Sequence, residues 1–343
     1  MNFLEQFESE LLQKLRPVEE TDRGKLLTVS YSKLDLFKKC PYRYKLRYCD
    51  RNYAKNDTLA TRFGSILHKA LELKCDFIMK DEDVDYDYIH NTLLSGFDET
   101  TEKGHEQIIG IQEMRKLYFE DWYVPDPKTG LSPEDRYQTF VDKVLPERLE
   151  GLKRTIIGAE IPFEFVYDNR CIIHGFIDRV DAEIDEDDEI RALTVTDYKS
   201  SKKIYPVEEI RTPLQMVTYD LACLFMYGVI PDNHVYDFIG LDKQQTKING
   251  VCTKGYLKRG VKKIDSLLDQ INKMEEENEF PPSPTPLCYW CDFCENNPNT
   301  EEKYKYLCPY YSLWTPSNKT FQTNKQYESG GTKEPTKRRE FIF

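Results

Sequence analysis

Val195-Thr196-Asp197-Tyr198-Lys199-Ser200 sets a carboxylate and an ammonium two residues apart in a β-forming run, and Gly175-Phe176-Ile177-Asp178-Arg179-Val180-Asp181 brings a second carboxylate from the run before it. Side chains at i and i+2 of a strand share a face. Asp197 and Lys199 therefore point the same way, and Asp178 can meet them from a neighbouring strand. Two carboxylates can hold a hard divalent cation, Mg2+ or Mn2+, which activates water and neutralises charge developing on a phosphate. The lysine can orient or deprotonate that water, or stabilise the pentavalent state. The pattern suits phosphodiester hydrolysis. A D-x-K alone is far more often an ion pair on surface strands, so its surroundings carry the weight.

Working outward, residues 160–168, 170–184 and 191–199 are short, β-branched and aromatic-rich, with the acidic run Asp185–Glu189 as a polar hairpin turn. Residues 206–228 read as a helix, 233–241 as a further strand and 259–278 as a charged helix, which Pro281, Pro282, Pro284 and Pro286 stop. On the N-terminal side, residues 1–25 read as a charged helix and linker. Ser32 with Asp35 predicts a capping box opening a helix into Cys40. Leu67, Leu71 and Ile78 give a second helix, 64–80, its apolar stripe. Residues 81–155 are charged, broken by Pro125, Pro127, Pro133 and Pro146, and mostly helical where regular. The expected fold class is α/β: a small mixed sheet carrying Asp178, Asp197 and Lys199, flanked by helices. The expected divisions are an N-terminal helical segment at 1–155, a core at 156–245, a C-terminal helix and cysteine cluster at 246–314, and a flexible polar tail at 315–343.

The chain has 343 residues, 39% of them hydrophobic and 13% aromatic, enough for a packed core. A net charge of −12 argues against a protein that coats nucleic acid through bulk charge. It leaves room for a local basic path. There is no run of about 18 apolar residues, so no membrane span is expected, and the N-terminus lacks a secretory apolar core. The expected location is the cytoplasm. Ten cysteines in such a compartment are unlike a disulfide framework. Gly255 and Gly260 are spaced like a phosphate loop, but Val261-Lys262-Lys263 replaces the required G-K-[ST], so no nucleotide-driven motor is expected.

Two further pairs lie at helical spacing. Gly64-Ser65-Ile66-Leu67-His68 precedes Glu72, which shares a face with His68, and Gln215 shares a face with Tyr219. Singly these are weak. Their order, a G-x-x-x-H helix, a G-x-x-D strand, a D-Y-K-S strand and a Q-x-x-x-Y helix, resembles the RecB-type nucleases of the PD-(D/E)xK superfamily over about residues 30–314, with 81–155 poorly matched. The resemblance implies a restriction-endonuclease-like core. It implies His68, Asp178, Asp197 and the Tyr198 carbonyl as metal ligands and Lys199 as the catalytic lysine. Gln215 and Tyr219 would hold the site and the strand being cut. Glu160 or Glu164 is a further acidic member, and Asp181 a structural partner of Arg179.

Cys288-x-x-Cys291-x-x-Cys294 and Cys308 follow the proline stop with metal-ligand spacing. These four could form a zinc site. The AddB-like branch of the family, similar to exonucleases of CRISPR adaptation, implies instead a [4Fe–4S] cluster that joins the chain ends. Its ligands would be Cys40, in Cys40-Pro41-Tyr42-Arg43-Tyr44, with Cys288, Cys291 and Cys308; Cys294 is the rival for the last place. Cys49, Cys75, Cys171, Cys223 and Cys252 are expected as buried small side chains. Arg43, Tyr44 and Arg47 could track a single strand, and Lys202 and Lys203 could meet a phosphate. The resemblance implies cleavage of single-stranded DNA ends in recombination, repair or replication, in a bacterium or a virus of one, with a helicase or recombination partner. The alternative is a non-catalytic DNA-binding or scaffolding subunit of such a complex.

Overall fold

The structure, a computed structural model, describes residues 3–54, 58–100, 106–187, 189–201, 214–240, 247–251, 253–295, 297 and 300–310. Two compact units result. One comprises Met1–Ser32 with Leu59–Ser266, the other Lys33–Thr58 with Leu267–Phe343.

The first unit is built on a seven-stranded mixed sheet. In chain order the strands are β1 (Leu15–Arg16), β2 (Leu27–Val29), β5 (Thr155–Tyr167), β6 (Cys171–Ile184), β7 (Ile190–Tyr198), β8 (Asn233–Asp237) and β9 (Lys247–Val251), while β3 (Phe97–Thr100) and β4 (Glu106–Ile109) form a separate hairpin. The sheet order is β1-β5-β6-β7-β8-β9, with β2 parallel to the start of β6. Strands β5, β6 and β7 are antiparallel neighbours, β7 and β8 parallel, and β8 and β9 antiparallel.

Local chemistry fixes the register. Asp168 and Asn169 both take positive φ, and Arg170 N donates to Tyr167 O at 2.9 Å, a two-residue turn whose twist matches a hairpin. Between β6 and β7 the Asp185 carboxylate accepts from the amides of Asp187 and Glu189, as the acidic run predicted.

The helices are α1 (Phe3–Leu12), α2 (Tyr31–Lys39), α3 (Leu59–Met79), α4 (Tyr86–Ser95), α5 (Ile111–Leu117), α6 (Pro133–Thr139), α7 (Leu214–Tyr227) and α8 (Lys254–Glu277), joined by shorter helical turns. On α3, Ile66, Leu67, Ala70 and Leu71 are fully buried in one cluster with Trp122, Tyr137 and Tyr198. Burying each large aliphatic side chain contributes about 1.5–3 kcal/mol. Helix α7 is buried almost all round from Leu214 to Leu224, as a core helix must be.

Several expectations shift. Helix α2 begins at Tyr31, so Ser32 lies in its first turn rather than capping it. Helix α3 starts five residues before Gly64, and Ile78 at its end is exposed. The β3–β4 hairpin interrupts the segment expected to be helical. The sheet is larger than expected by β1 and β2, of two and three residues, too short for a legible alternation, and by β9; β8 ends at Asp237, short of the expected 241. The expected helix from 206 is described only from Leu214, and the tail from 315 lies outside the described residues.

In the second unit, a helical turn at Pro41–Tyr44 runs into a wider turn at Lys45–Cys49, and short turns occupy Pro286–Trp290 and Glu302–Tyr304. Phe293, Tyr304, Leu46 and Ala54 form one small cluster, against which Cys291 and Cys308 pack, and Leu34, Phe37, Tyr44, Leu268, Ile271 and Phe280 are buried in the same unit.

Candidate active site

Asp178 and Asp197 lie near matching positions of β6 and β7, whose pairing runs Arg179↔Thr196. The Asp178 carboxylate accepts from Tyr198 N at 2.6 Å. This ties the two strands together at the carboxylates. Lys199 Nζ lies 2.6 Å from Asp197 Oδ2 and donates to Gln215 Oε1 at 2.9 Å, and Gln215 Nε2 donates to Tyr219 OH at 2.9 Å. Helix α7 thus holds the lysine through a two-step relay. Gly175 supports the same corner: a Cβ there would stand 2.8 Å from the ring of Phe163, which packs edge-on to Tyr219.

His68 projects from α3 with Nδ1 3.5 Å from Glu160 Oε1 and 3.7 Å from Asp178 Oδ2. Among the described residues, His68, Glu160 and Asp178 are the set whose ligand atoms all lie within 4.8 Å of one another. The sequence left Glu160 and Glu164 equal. The structure separates them: Glu164 is held by Arg23 at 2.7 and 3.0 Å, while Glu160 turns to His68. Its positive φ of 44° and the bulge between Ile156 and Gly158 re-aim that stretch of β5. Glu72 pairs instead with Lys69.

The electrostatics are those of crowded buried carboxylates. Burial raises the pKa of Asp178, partly opposed by His68. Burial raises Asp197 to about 6, with Lys199 acting against it and Asp178 adding to it. Burial alone would lower His68, but Asp178 and Glu160 outweigh it and bring the imidazole to about 9. A divalent cation relieves this repulsion, and the donors are the hard oxygens and one imidazole that Mg2+ or Mn2+ takes. The residues therefore fit the metal.

Tyr198 meets the site through its backbone; its side chain is buried and accepts from Arg179 at 2.5 Å. Arg179 also clasps Asp181 at 2.8 and 3.0 Å, so Asp181 is neutralised on the far face.

In the second unit, Cys40, Cys288, Cys291 and Cys308 come into one another's electrostatic range. Burial raises the thiol of Cys308, and Cys291, Cys40 and Cys288 add to the rise. Burial also raises Cys288, with a contribution from Cys40. It takes Cys291 to about 12 against the pull of Arg43. Cys294 is fully buried.

Arg43, Tyr44 and Arg47 correct the expectation of a strand-tracking stretch. Arg43 pairs with buried Asp292 at 2.6 Å, Arg47 is buried against the same carboxylate at 3.3 Å, and Tyr44 is fully buried with its hydroxyl donating to Glu275. A side chain already desolvated and paired has nothing left to offer a base. Cys75, Cys171 and Cys223 are buried as expected, but Cys49 is exposed. Lys202, Lys203 and Cys252 lie outside the described residues.

A model of the PD-(D/E)XK nuclease superfamily matches residues 28–296. No curated protein matches the sequence. A solved structure from Eubacterium rectale, named "Putative exonuclease", is similar over 81% of this chain and 91% of that chain, at 14% identity and a TM-score of 0.37. Among the described residues no helix is long and apolar enough to cross a membrane.

Proposed function

This chain belongs to the PD-(D/E)XK nuclease superfamily, and from that membership we propose a RecB/AddB-like deoxyribonuclease that uses Mg2+ or Mn2+ and digests single-stranded DNA from an end. The observation that carries the reading is the convergence of Asp178, Asp197 and Lys199 with His68 and Glu160 at one buried corner. A structural ion pair has no use for the surplus carboxylates, because burying like charges side by side is destabilising.

His68, Glu160, Asp178 and Asp197 would hold the cation, with the Tyr198 carbonyl as a further donor. The cation supplies charge stabilisation for the phosphate and acidifies water. Lys199 brings its ammonium to the same corner, where it stabilises the extra negative charge that the phosphoryl oxygens carry during attack. Gln215 and Tyr219 keep the lysine aimed. Hydrolysis adds water across one P–O bond: the hydroxyl stays on phosphorus and the leaving oxygen takes the proton.

Cys40, Cys288, Cys291 and Cys308 are the proposed ligands of a [4Fe–4S] cluster. Their mutual electrostatic reach supports a shared cofactor held by the four thiols. A helicase or recombination partner would expose its strand, inside a bacterial cell.

The test is digestion of end-labelled single- and double-stranded DNA with Mg2+ or Mn2+ by the wild type and Lys199→Ala. Wild type is expected to shorten the single strand and Lys199→Ala to be slower by roughly 10³-fold. Equal cutting by both proteins, or none by either, rejects the reading.

A further inference from the structure

Among the buried and half-buried arginines of its unit, Arg62, Arg115, Arg148, Arg170 and Arg179 each face a carboxylate, on Glu113, Glu134, Asp237, Asp265 and Asp181, and Arg154 donates to the Thr194 hydroxyl. Arg136, on α6, has no carboxylate partner among the described residues. Its guanidinium lies over the ring of Phe63 at 4.9 Å and donates from one nitrogen to the carbonyl of Ser200 at 3.5 Å. A guanidinium has five N–H donors in a rigid fork, so most of this one remains uncommitted. Burial pulls its pKa below the ordinary arginine value, with only Asp126 acting the other way. In a chain so rich in carboxylates, a partly desolvated cation left without one is a place prepared for an anion from outside.

The anchor gives the location. Ser200 directly follows Lys199, and its carbonyl is pressed against Gly240, where a Cβ would come within 2.5 Å of it. Lys199 N donates to Asp237 O at 2.8 Å, and Gly240 N to Lys199 O at 3.4 Å. Arg136 therefore sits on a backbone segment continuous with the lysine and held rigidly. Its anchor lies one residue past Lys199, so it stands beside the scissile position rather than in it. A strand that offers one phosphate to Lys199 carries further phosphates on either side, and a planar fork matches phosphate oxygens two at a time.

We propose that Arg136 binds the backbone phosphate next to the scissile one, making it a substrate-binding residue of the nuclease site. This rests on the nuclease reading above.

The experiment measures binding of a dye-labelled single-stranded oligonucleotide to the full chain in EDTA across a series of salt concentrations. Wild type is compared with Arg136→Gln and Arg136→Lys, and DNA cleavage by all three is followed in parallel. Arg136→Gln is expected to weaken binding about tenfold and to reduce the slope of log K against log salt by about 0.7. Its KM should rise while kcat at saturating DNA stays nearly constant. Arg136→Lys should keep the salt slope but bind several-fold more weakly, having charge without the fork. A folded Arg136→Gln that keeps both affinity and slope means that Arg136 only props Ser200, and the proposal falls while wild-type cleavage still supports the nuclease. If Arg136→Gln does not fold, Arg136→Lys decides: wild-type affinity there overturns the fork. A wild type that neither binds nor cuts removes both readings together.

Discussion

Around Asp178 and Asp197 the sheet unit packs Ile66, Leu67, Ala70, Leu71 and Tyr198 into one continuous core, and the two carboxylates stand where β6 and β7 are paired. Around Cys288, Cys291 and Cys308 the other unit has the four buried residues Leu46, Ala54, Phe293 and Tyr304 and a few helical turns. Both bury ionisable groups, but the supports differ. In the sheet unit, strand register and apolar burial hold the charges together against their repulsion. In the cysteine unit the buried carboxylate of Asp292 is met by Arg43 and Arg47, and the cluster packed against Cys291 and Cys308 has only four buried residues. So small a cluster needs a cross-link. The expectation is that the sheet unit stands without its metal and the cysteine unit does not stand without its cluster.

Breaking the cluster should therefore have the largest effect. Cys308→Ser is expected to lose the brown colour and nearly all of about four iron atoms per chain. Structural thiolate sites contribute on the order of 10 kcal/mol to folding. Amide exchange should then accelerate across 33–54 and 267–310 while β5, β6 and β7 keep their protection. Cys294→Ser should remain brown. Iron analysis of the two variants decides between the sulfurs, and loss of protection in β5–β7 as well would erase the contrast between the units.

Asp197→Asn tests the other half. The folded pKa of about 6 lies above the ordinary 3.8, so between these values the folded protein binds the extra proton. Stability from this group is full below about pH 4 and is lost as pH rises through 6. In EDTA the wild type should lose roughly 2–3 kcal/mol over that window relative to Asp197→Asn, leaving the variant more stable at pH 7. Its cleavage should fall by roughly 10³-fold. Denaturation curves at pH 4 and 7 read the sign; a variant less stable at pH 7 would make Asp197–Lys199 a supporting ion pair instead of a strained site.

The sheet unit was legible in the sequence where periodicity and motif order reinforce each other. The spans of β6 and β7 and the Asp185 turn follow from alternation and turn chemistry, whereas β5 begins at Thr155, five residues before the expected start. Short β1, β2 and β9 pair through long-range register that no local window contains. Arg43 and Arg47 misled because alternating basic and aromatic residues look alike on a DNA surface and around a buried Asp292 some 250 residues away. Arg136 left no local signal at all. Its meaning lies in the absence of a carboxylate partner among the described residues, a property of three-dimensional neighbours.

The smallest effect separates two glutamates on one strand. Glu160 and Glu164 are equivalent by alternation, both on the same face of β5. What distinguishes them is backbone: Glu160 adopts a φ of 44°, where an L side chain is strained, and the turn this makes carries its carboxylate to His68. Glu164 stays extended and meets Arg23, a pair with 34% of the glutamate side chain exposed. Glu160→Gln removes a charge from the proposed metal site and should lower Mn2+ affinity about tenfold, with cleavage restored at higher metal. Glu164→Gln removes a screened surface pair and should cost less than about 1 kcal/mol, with Mn2+ affinity and cleavage unchanged. Calorimetric Mn2+ titration of both variants makes the comparison. Equal losses would mean that the strained φ does not select the ligand, and that the whole acidic face of β5, not one aimed residue, attracts the ion.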